Sequence, residues 1–282
     1  ANFHALLGLS GAGGAVRLGG FRGWVRVDGL PFADDPTSLF AGAHYYPIAF
    51  DELGNPNNNK VWTGLGASGA PSNNCTDWSM TTNQGTAYYG YAAEGSNWWL
   101  AINTQGCDQA AALYCFEMLD TVPLTVDAPA GRRAFATNNI WSPMNGPTAA
   151  DAQCASEASS HGLGSSFMAY LNGSTATGLS RFNLAGALWH RMDNVLLAPS
   201  TRTTVIENGD AQRLAPLITG PGGGRYGPGI SAWLGSATDN CTDWTSNSST
   251  VNGLVGSVTR AGAGVAPINC GSSTTLLFCL EQ

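Results

Sequence analysis

Residues 74–78 read Asn-Cys-Thr-Asp-Trp, and residues 240–244 read the same five letters. Working outward from that pair, Phe3, Ala5 and Leu7 align with Phe167, Ala169 and Leu171, and Trp24-Val-Arg-Val-Asp28 with Trp189-His-Arg-Met-Asp193. Trp62 falls opposite Trp233, Cys107 opposite Cys270, Cys115 opposite Cys279 and Glu117 opposite Glu281. The offset stays at 164 to 166 residues for Trp24, Cys75 and Cys115. A period this long describes two whole domains and excludes a solenoid of short repeats. Function therefore has to be read from one module used twice.

Each module has ordinary domain size and can bury its own core. Apolar runs are interrupted by Gly, Ser or Asn well short of the roughly 20 residues a bilayer span needs, so no membrane insertion is expected. Charged residues make up only 11% of the chain, and Lys60 is the sole lysine. Gly, Ser, Thr and Asn supply the polar surface instead, a composition that suits a loop-rich extracellular β protein. A net charge of -7, with no basic cluster beyond Arg132-Arg133, gives no electrostatic footprint for nucleic acid.

Seven cysteines at repeating positions point to an oxidising compartment. No Cys-x-x-Cys occurs, so a disulfide framework is expected rather than zinc. The second copy holds Cys154, Cys241, Cys270 and Cys279, which allow three connectivities. The first copy holds only Cys75, Cys107 and Cys115. Projected back by the repeat, Cys154 has no counterpart, and Cys115 is expected to find its mate outside these residues, upstream in a longer parent chain or on a neighbouring molecule.

Residues 1–117 read as a first domain that lacks its opening strand, helix and cysteine. Residues 118–130, punctuated by Pro123 and Pro129, read as a linker. Residues 131–282 read as a complete second domain. It opens with Arg133-Ala-Phe-Ala-Thr137, which alternates like a half-buried strand. Residues 147–161 follow as the clearest helix, with Pro147 suited to its first turn, Ala150, Cys154 and Ala158 on one face, and Gly162 to end it. Short strands separated by turns are expected over Ser165–Leu171, Trp233–Gly235 and Leu276–Leu280.

A strand, a Cys-bearing helix, irregular loops and a closing strand with a second Cys resemble the C-type-lectin-like fold, and more particularly its endostatin-like branch. That branch is known from the C-terminal domain of collagen XVIII and from leptospiral surface proteins. The resemblance rests on Asn2-Phe-His-Ala-Leu-Leu7, Gly29-Leu-Pro-Phe32, Lys60-Val-Trp-Thr-Gly64, Cys75-Thr-Asp-Trp78 and Leu113-Tyr-Cys-Phe-Glu117. In the second copy Ser166–Leu171, Cys241–Trp244 and Leu277–Glu281 carry it. It implies an α+β class with two tandem, disulfide-stapled, loop-rich domains and few helices. It also implies a nested pairing of Cys154 with Cys279 and Cys241 with Cys270, and of Cys75 with Cys107. By loop entropy the outer staple would restrict the unfolded chain by about 4 to 5 kcal/mol and the inner by about 3 to 4.

Candidate chemistry is sparse. Trp-x-Arg-x-Asp at 24–28 and 189–193 puts three side chains on one side of an extended segment; it reads first as a structural Arg–Asp pair beside a packed Trp, and second as a ligand platform. Asp77 and Asp243 stand where a sugar-binding lectin would hold calcium, yet neither the Trp-Asn-Asp nor the Glu-Pro-Asn ligand set is present. His4, His44, His161 and His190 share no ligand spacing, so no metal is expected. The endostatins' heparin site needs an arginine-rich face that this acidic chain lacks. No Gly-x-Ser-x-Gly, His-Glu-x-x-His or phosphate-binding loop occurs, so no enzyme, catalytic residue or cofactor is expected. Asn74, Asn172, Asn240 and Asn247 match the glycosylation acceptor pattern.

The expectation is a secreted or cell-surface, non-catalytic adhesion or recognition protein that binds an extracellular protein or glycan. Tyr88, Tyr89, Tyr91, Trp98 and Trp99 are its candidate contact surface, because aromatic rings bury large area at low entropic cost. The alternative is a structural subunit of an extracellular filament or surface layer, with the chain joined to itself head to tail.

Overall fold

The structure is a computed structural model and describes residues 2–127, 130–198, 214–261 and 265–282. It is mixed α+β, with many short strands, few helices and three disulfides. The chain divides into two compact units, residues 1–126 and 127–282. The division falls inside the segment expected to be a linker. Its first part belongs to the first unit, because Met118 N donates to Asn2 O and Leu124 N to Asp34 Oδ1.

The second unit is organised by the strand Arg132–Ala136. It pairs in parallel with Trp189–Arg191 on one edge and antiparallel with the closing strand Leu276–Glu281 on the other. The closing strand also pairs with Phe167–Ala169 and Ser231–Trp233, and the hairpin Asn252–Ser257/Val265–Asn269 completes a seven-stranded sheet. Pro near the first turn and Ala at 149, 150 and 152 favour the helix Gly146–Ser160. Its face of Ala150, Cys154 and Ala158 is wholly buried against Phe135, Phe167 and Trp141. Cys154 is bonded to Cys279, and Asp151 accepts from Ala169 N and from Arg181, so the helix is clamped onto the strand Phe167–Ala169. Covered on both faces, the closing strand buries every residue from Leu276 to Leu280.

The first unit has the same framework without that strand and helix. Lys60–Trp62 lies between Thr86–Tyr91 and Ala112–Leu113, with Asn103–Gly106 at the far edge. Phe3–Ala5 pairs with Cys115–Glu117 in the register that Phe167–Ala169 uses on the closing strand of the second unit. Trp24–Val25 pairs with Pro31–Ala33. These form three separate sheets: Ala112–Leu113 and Cys115–Glu117 are distinct strands where the second unit has one, and among the described residues no strand joins Trp24–Val25 to Cys115–Glu117. The core gathers Trp24, Phe32, Phe40, Trp99, Tyr114 and Phe116.

Candidate functional site

The repeated pentapeptide forms one turn of left-handed backbone. Cys75, Thr76, Asp77 and Trp78 have φ of 53°, 54°, 52° and 64°, and Cys241 to Trp244 have 53°, 56°, 49° and 66°. Left-handed backbone costs L-residues about 1–2 kcal/mol each, so the surroundings must impose it. Asn74 Oδ1 accepts from Asp77 N at 3.1 Å, and Trp78 Nε1 donates to Gly8 O at 3.0 Å. Asn240 and Trp244 do the same with Asp243 N and Asn172 O, both at 2.9 Å. The disulfides Cys75–Cys107 and Cys241–Cys270 anchor the turns. A glycine at φ +60° (Gly64) or +70° (Gly235) lets each indole approach, since a Cβ there would meet the Trp78 or Trp244 ring at 2.7 or 2.5 Å.

The same geometry gives the two carboxylates partners within the protein. Asp77 Oδ1 accepts from Ser10 N at 2.6 Å, and that backbone bond holds its carboxyl below the usual range. Asp243 takes Ser174 N and Oγ, both at 2.7 Å, with the same effect. Among the described residues no three His, Cys, Asp or Glu side chains are grouped to share a metal ion. His44 Nε2 lies 3.1 Å from Glu94 O, and His190 Nδ1 2.9 Å from Arg191 O. Asn74 and Asn240 are buried caps of these turns.

The Trp-x-Arg-x-Asp stretches are structural in both units. Arg191 is fully buried and holds Asp193 with Nε and Nη2, while its Nη1 reaches Pro216 O at 3.1 Å. Arg26 makes the equivalent contacts with Asp28 and Pro47 O. The indoles bridge to the closing strands: Trp24 Nε1 donates to Glu117 O at 3.0 Å and Trp189 Nε1 to Glu281 O at 2.8 Å.

The aromatic surface read from sequence is divided by the fold. Trp99 is buried at 2% and Tyr89 at 8%, so both belong to the interior, packed on Tyr114 and Phe40 and on Tyr91. Tyr88, Tyr91 and Trp98 are half-buried. Alternation along Thr86–Tyr91 assigns Ala87 and Tyr89 inward, a signal that the clustering of tyrosines obscured.

Other apolar side chains of the first unit are more exposed. Phe3 is 57% exposed where its equivalent Phe167 is 1% exposed, and along the end of the unit Leu113, Cys115 and Glu117 are exposed while Tyr114, Phe116 and Met118 are buried. A cleft of about 330 Å³ opens between Trp24–Val27 and Cys115–Glu117, floored by Phe32, Ile48 and Phe116. Val25 and Val27 stand exposed beside it. Cys115 is exposed and carries no disulfide. In the second unit a shallow polar cleft lies between Asn172–Thr177 and Gly235–Ala237. The first cleft lies where the sequence leaves the first domain without its opening strand, helix and cysteine; the second, formed by segments far apart in the chain, gave no signal in the sequence.

No family model and no curated protein matches this chain. No described helix is long and apolar enough to cross a membrane.

Proposed function

We propose that this chain is a secreted or cell-surface, non-catalytic recognition protein built from tandem endostatin-like modules of the C-type-lectin-like fold. The observation that carries the reading is the exposed apolar surface of Phe3, Val25 and Val27, which line the cleft of the first unit. Contiguous apolar surface rimmed by charge marks a protein-contact site. The strand, Cys-helix and closing-strand order of the second unit and the twice-used Cys-Thr-Asp-Trp turn support the fold assignment. Three disulfides fit an oxidising, extracellular setting.

Saturable binding of the protein to immobilised extracellular-matrix proteins, or to a glycan array, tests the reading. Val25→Asp combined with Val27→Asp is expected to abolish binding to protein ligands and to leave the disulfides and secondary structure unchanged. Equal binding by both forms, or none by either, would sink it. A second reading, a subunit of an extracellular filament or layer, is favoured by the exposed free cysteine Cys115 at the rim of that cleft. Concentration-dependent polymers in electron micrographs would select that reading.

A further inference from the structure

We propose that the cleft between Asn172–Thr177 and Gly235–Ala237 in the second unit is a binding site for a neutral carbohydrate. The first unit shows how this place is made. Gly8, Ser10 and Gly14 match Asn172, Ser174 and Gly178: Gly8 O and Asn172 O both accept from an indole of the repeated turn, and Ser10 N and Ser174 N both donate to its aspartate. From the glycine that admits the indole to the Asn cap is ten positions in the first unit, Gly64 to Asn74, and five in the second, Gly235 to Asn240. The extra residues of the first unit fold back over the loop. Gly69 O accepts from Gly14 N at 2.8 Å, Leu65 bridges to Pro71, and a Cβ at Gly13 would meet Gly69 O at 2.7 Å and Pro71 Cδ at 3.1 Å. The second unit has no such cover among the described residues, and a cleft of about 470 Å³ stands in its place.

The opened walls are completed from within. Asn172 stands where the first unit has Gly8. Its Oδ1 accepts from Gly178 N at 2.6 Å, the donor that Gly69 O takes in the first unit, and its Nδ2 donates to Leu234 O and Gly235 O at 3.2 and 3.1 Å. Thr177 replaces Gly13, and its side chain would collide with a loop placed as Gly69–Pro71 is. The polypeptide turn that covers the first unit is thereby kept out of the second, and the cleft holds its shape without it. What the cleft offers is hydroxyl and methyl groups. Thr177 precedes the short helix Gly178–Arg181 in the cap position, where Thr ordinarily bonds to the helix backbone, yet its side chain makes no such bond. Thr175 and Thr177 are both exposed, and Ala176 and Ala237 set methyl groups beside them. A hydroxyl donates and accepts at once, so it pairs best with a ligand whose own groups do both. Among the described residues no Lys, Arg, His, Asp or Glu lines the cleft, and the neighbouring carboxylate of Asp243 is already engaged by Ser174 N and Oγ at 2.7 Å. A charged ligand finds no counter-charge in the lining. A sugar ring carries hydroxyls at its rim and C–H groups on its faces, and matches both kinds of group in a concave site with a few placed polar atoms.

The probes are the methyl glycosides of glucose, galactose, mannose and N-acetylglucosamine, each added to the whole oxidised protein and followed by saturation-transfer NMR. At least one is expected to bind saturably. Ala237→Arg, which fills the cleft from an exposed position, should abolish the signal, and Thr175→Ala combined with Thr177→Ala should weaken binding at least fivefold. These variants leave Asn172 and the disulfides in place, and an unchanged far-UV spectrum and thiol count will show that the fold is kept. Ala67→Arg, in the covering loop of the first unit, should leave the signal as it is. No binding of any of the four glycosides, or binding that survives Ala237→Arg, would overturn the proposal. So would binding lost equally on Ala67→Arg, or a preference for a heparin disaccharide or for the peptide Gly-Ala-Ser-Gly-Ala-Pro of residues 66–71. None of these outcomes involves Val25 or Val27, which belong to the first unit, so failure here leaves the recognition reading to its own test.

Discussion

Asp193 grips Arg191 with both carboxylate oxygens, Oδ1 to Nε at 2.8 Å and Oδ2 to Nη2 at 2.7 Å, and Oδ2 also takes Arg225 at 2.9 Å. Arg191 has no exposed side-chain surface and Asp193 only 23%. Removing one member of such a pair leaves the other buried and uncompensated, at a cost of about 3–5 kcal/mol. Asp193→Ala is expected to destabilise by that amount in urea unfolding. A loss below about 1 kcal/mol, the range of surface pairs, would show that water reaches the pair.

The same pair sets a pH dependence. Burial pushes the Asp193 carboxyl up, but the charge and hydrogen bonds of Arg191, with Arg225, outweigh it and hold it below its ordinary value of 3.8. A carboxyl depressed on folding stabilises the fold above its unfolded pKa, and that contribution fades as pH falls through the folded one. The stability gap between wild type and Asp193→Asn should be widest at neutral pH and should close below 3.8. A gap unchanged at pH 3 would contradict the assignment.

The two disulfides of the second unit should contribute unequally. Cys154–Cys279 spans 125 residues and Cys241–Cys270 spans 29. Loop entropy then assigns about 4–5 kcal/mol to the first and about 3–4 to the second. Paired Cys→Ala replacements compared by chemical unfolding should lose stability in that order, with Cys154/Cys279 also releasing the helix Gly146–Ser160. The reverse order would mean that the left-handed turn anchored by Cys241 matters more than loop closure.

Calcium or zinc removal should leave the melting temperature unchanged, because Asp77 and Asp243 are engaged by Ser10 and Ser174 and no three His, Cys, Asp or Glu side chains group together among the described residues. A melting temperature lowered by a chelator and restored by one ion would overturn this expectation.

What the sequence made legible was what repeats or alternates. Aligning Trp24, Cys75 and Cys115 with their partners placed equivalent side chains at equivalent positions, and the face of Ala150, Cys154 and Ala158 marked a helix that the structure places at Gly146–Ser160. Burial of Tyr89 and Trp99 was hidden, because aromatic clusters read alike whether packed or exposed. The cleft of the first unit was legible in part: the repeat showed Cys115 without a counterpart of Cys154, whereas its walls, Trp24–Val27 and Cys115–Glu117, lie far apart in sequence and meet only in the fold. The left-handed turn gave no local signal either, since Cys-Thr-Asp-Trp contains no glycine.

That turn supplies the least intuitive prediction. Thr76 and Thr242 are exposed, and their φ of 54° and 56° belong to glycine's territory. In each case the cap, the disulfide and the indole bond hold neighbouring residues, so the threonine follows without side-chain contacts of its own to lose. Glycine would relieve about 1–2 kcal/mol of left-handed strain, offset by roughly 0.5–1 kcal/mol from its freer unfolded chain. Thr242→Gly should therefore hold stability level or raise it by up to about 1 kcal/mol, against the usual loss on introducing glycine into ordered backbone. Asn240→Ala, which removes the cap on Asp243 N, should cost about 1 kcal/mol in the same assay. Were Thr242→Gly to destabilise by more than the alanine variant, the backbone there would not be left-handed in solution, and the repeated pentapeptide would have to be anchored by its side chains alone.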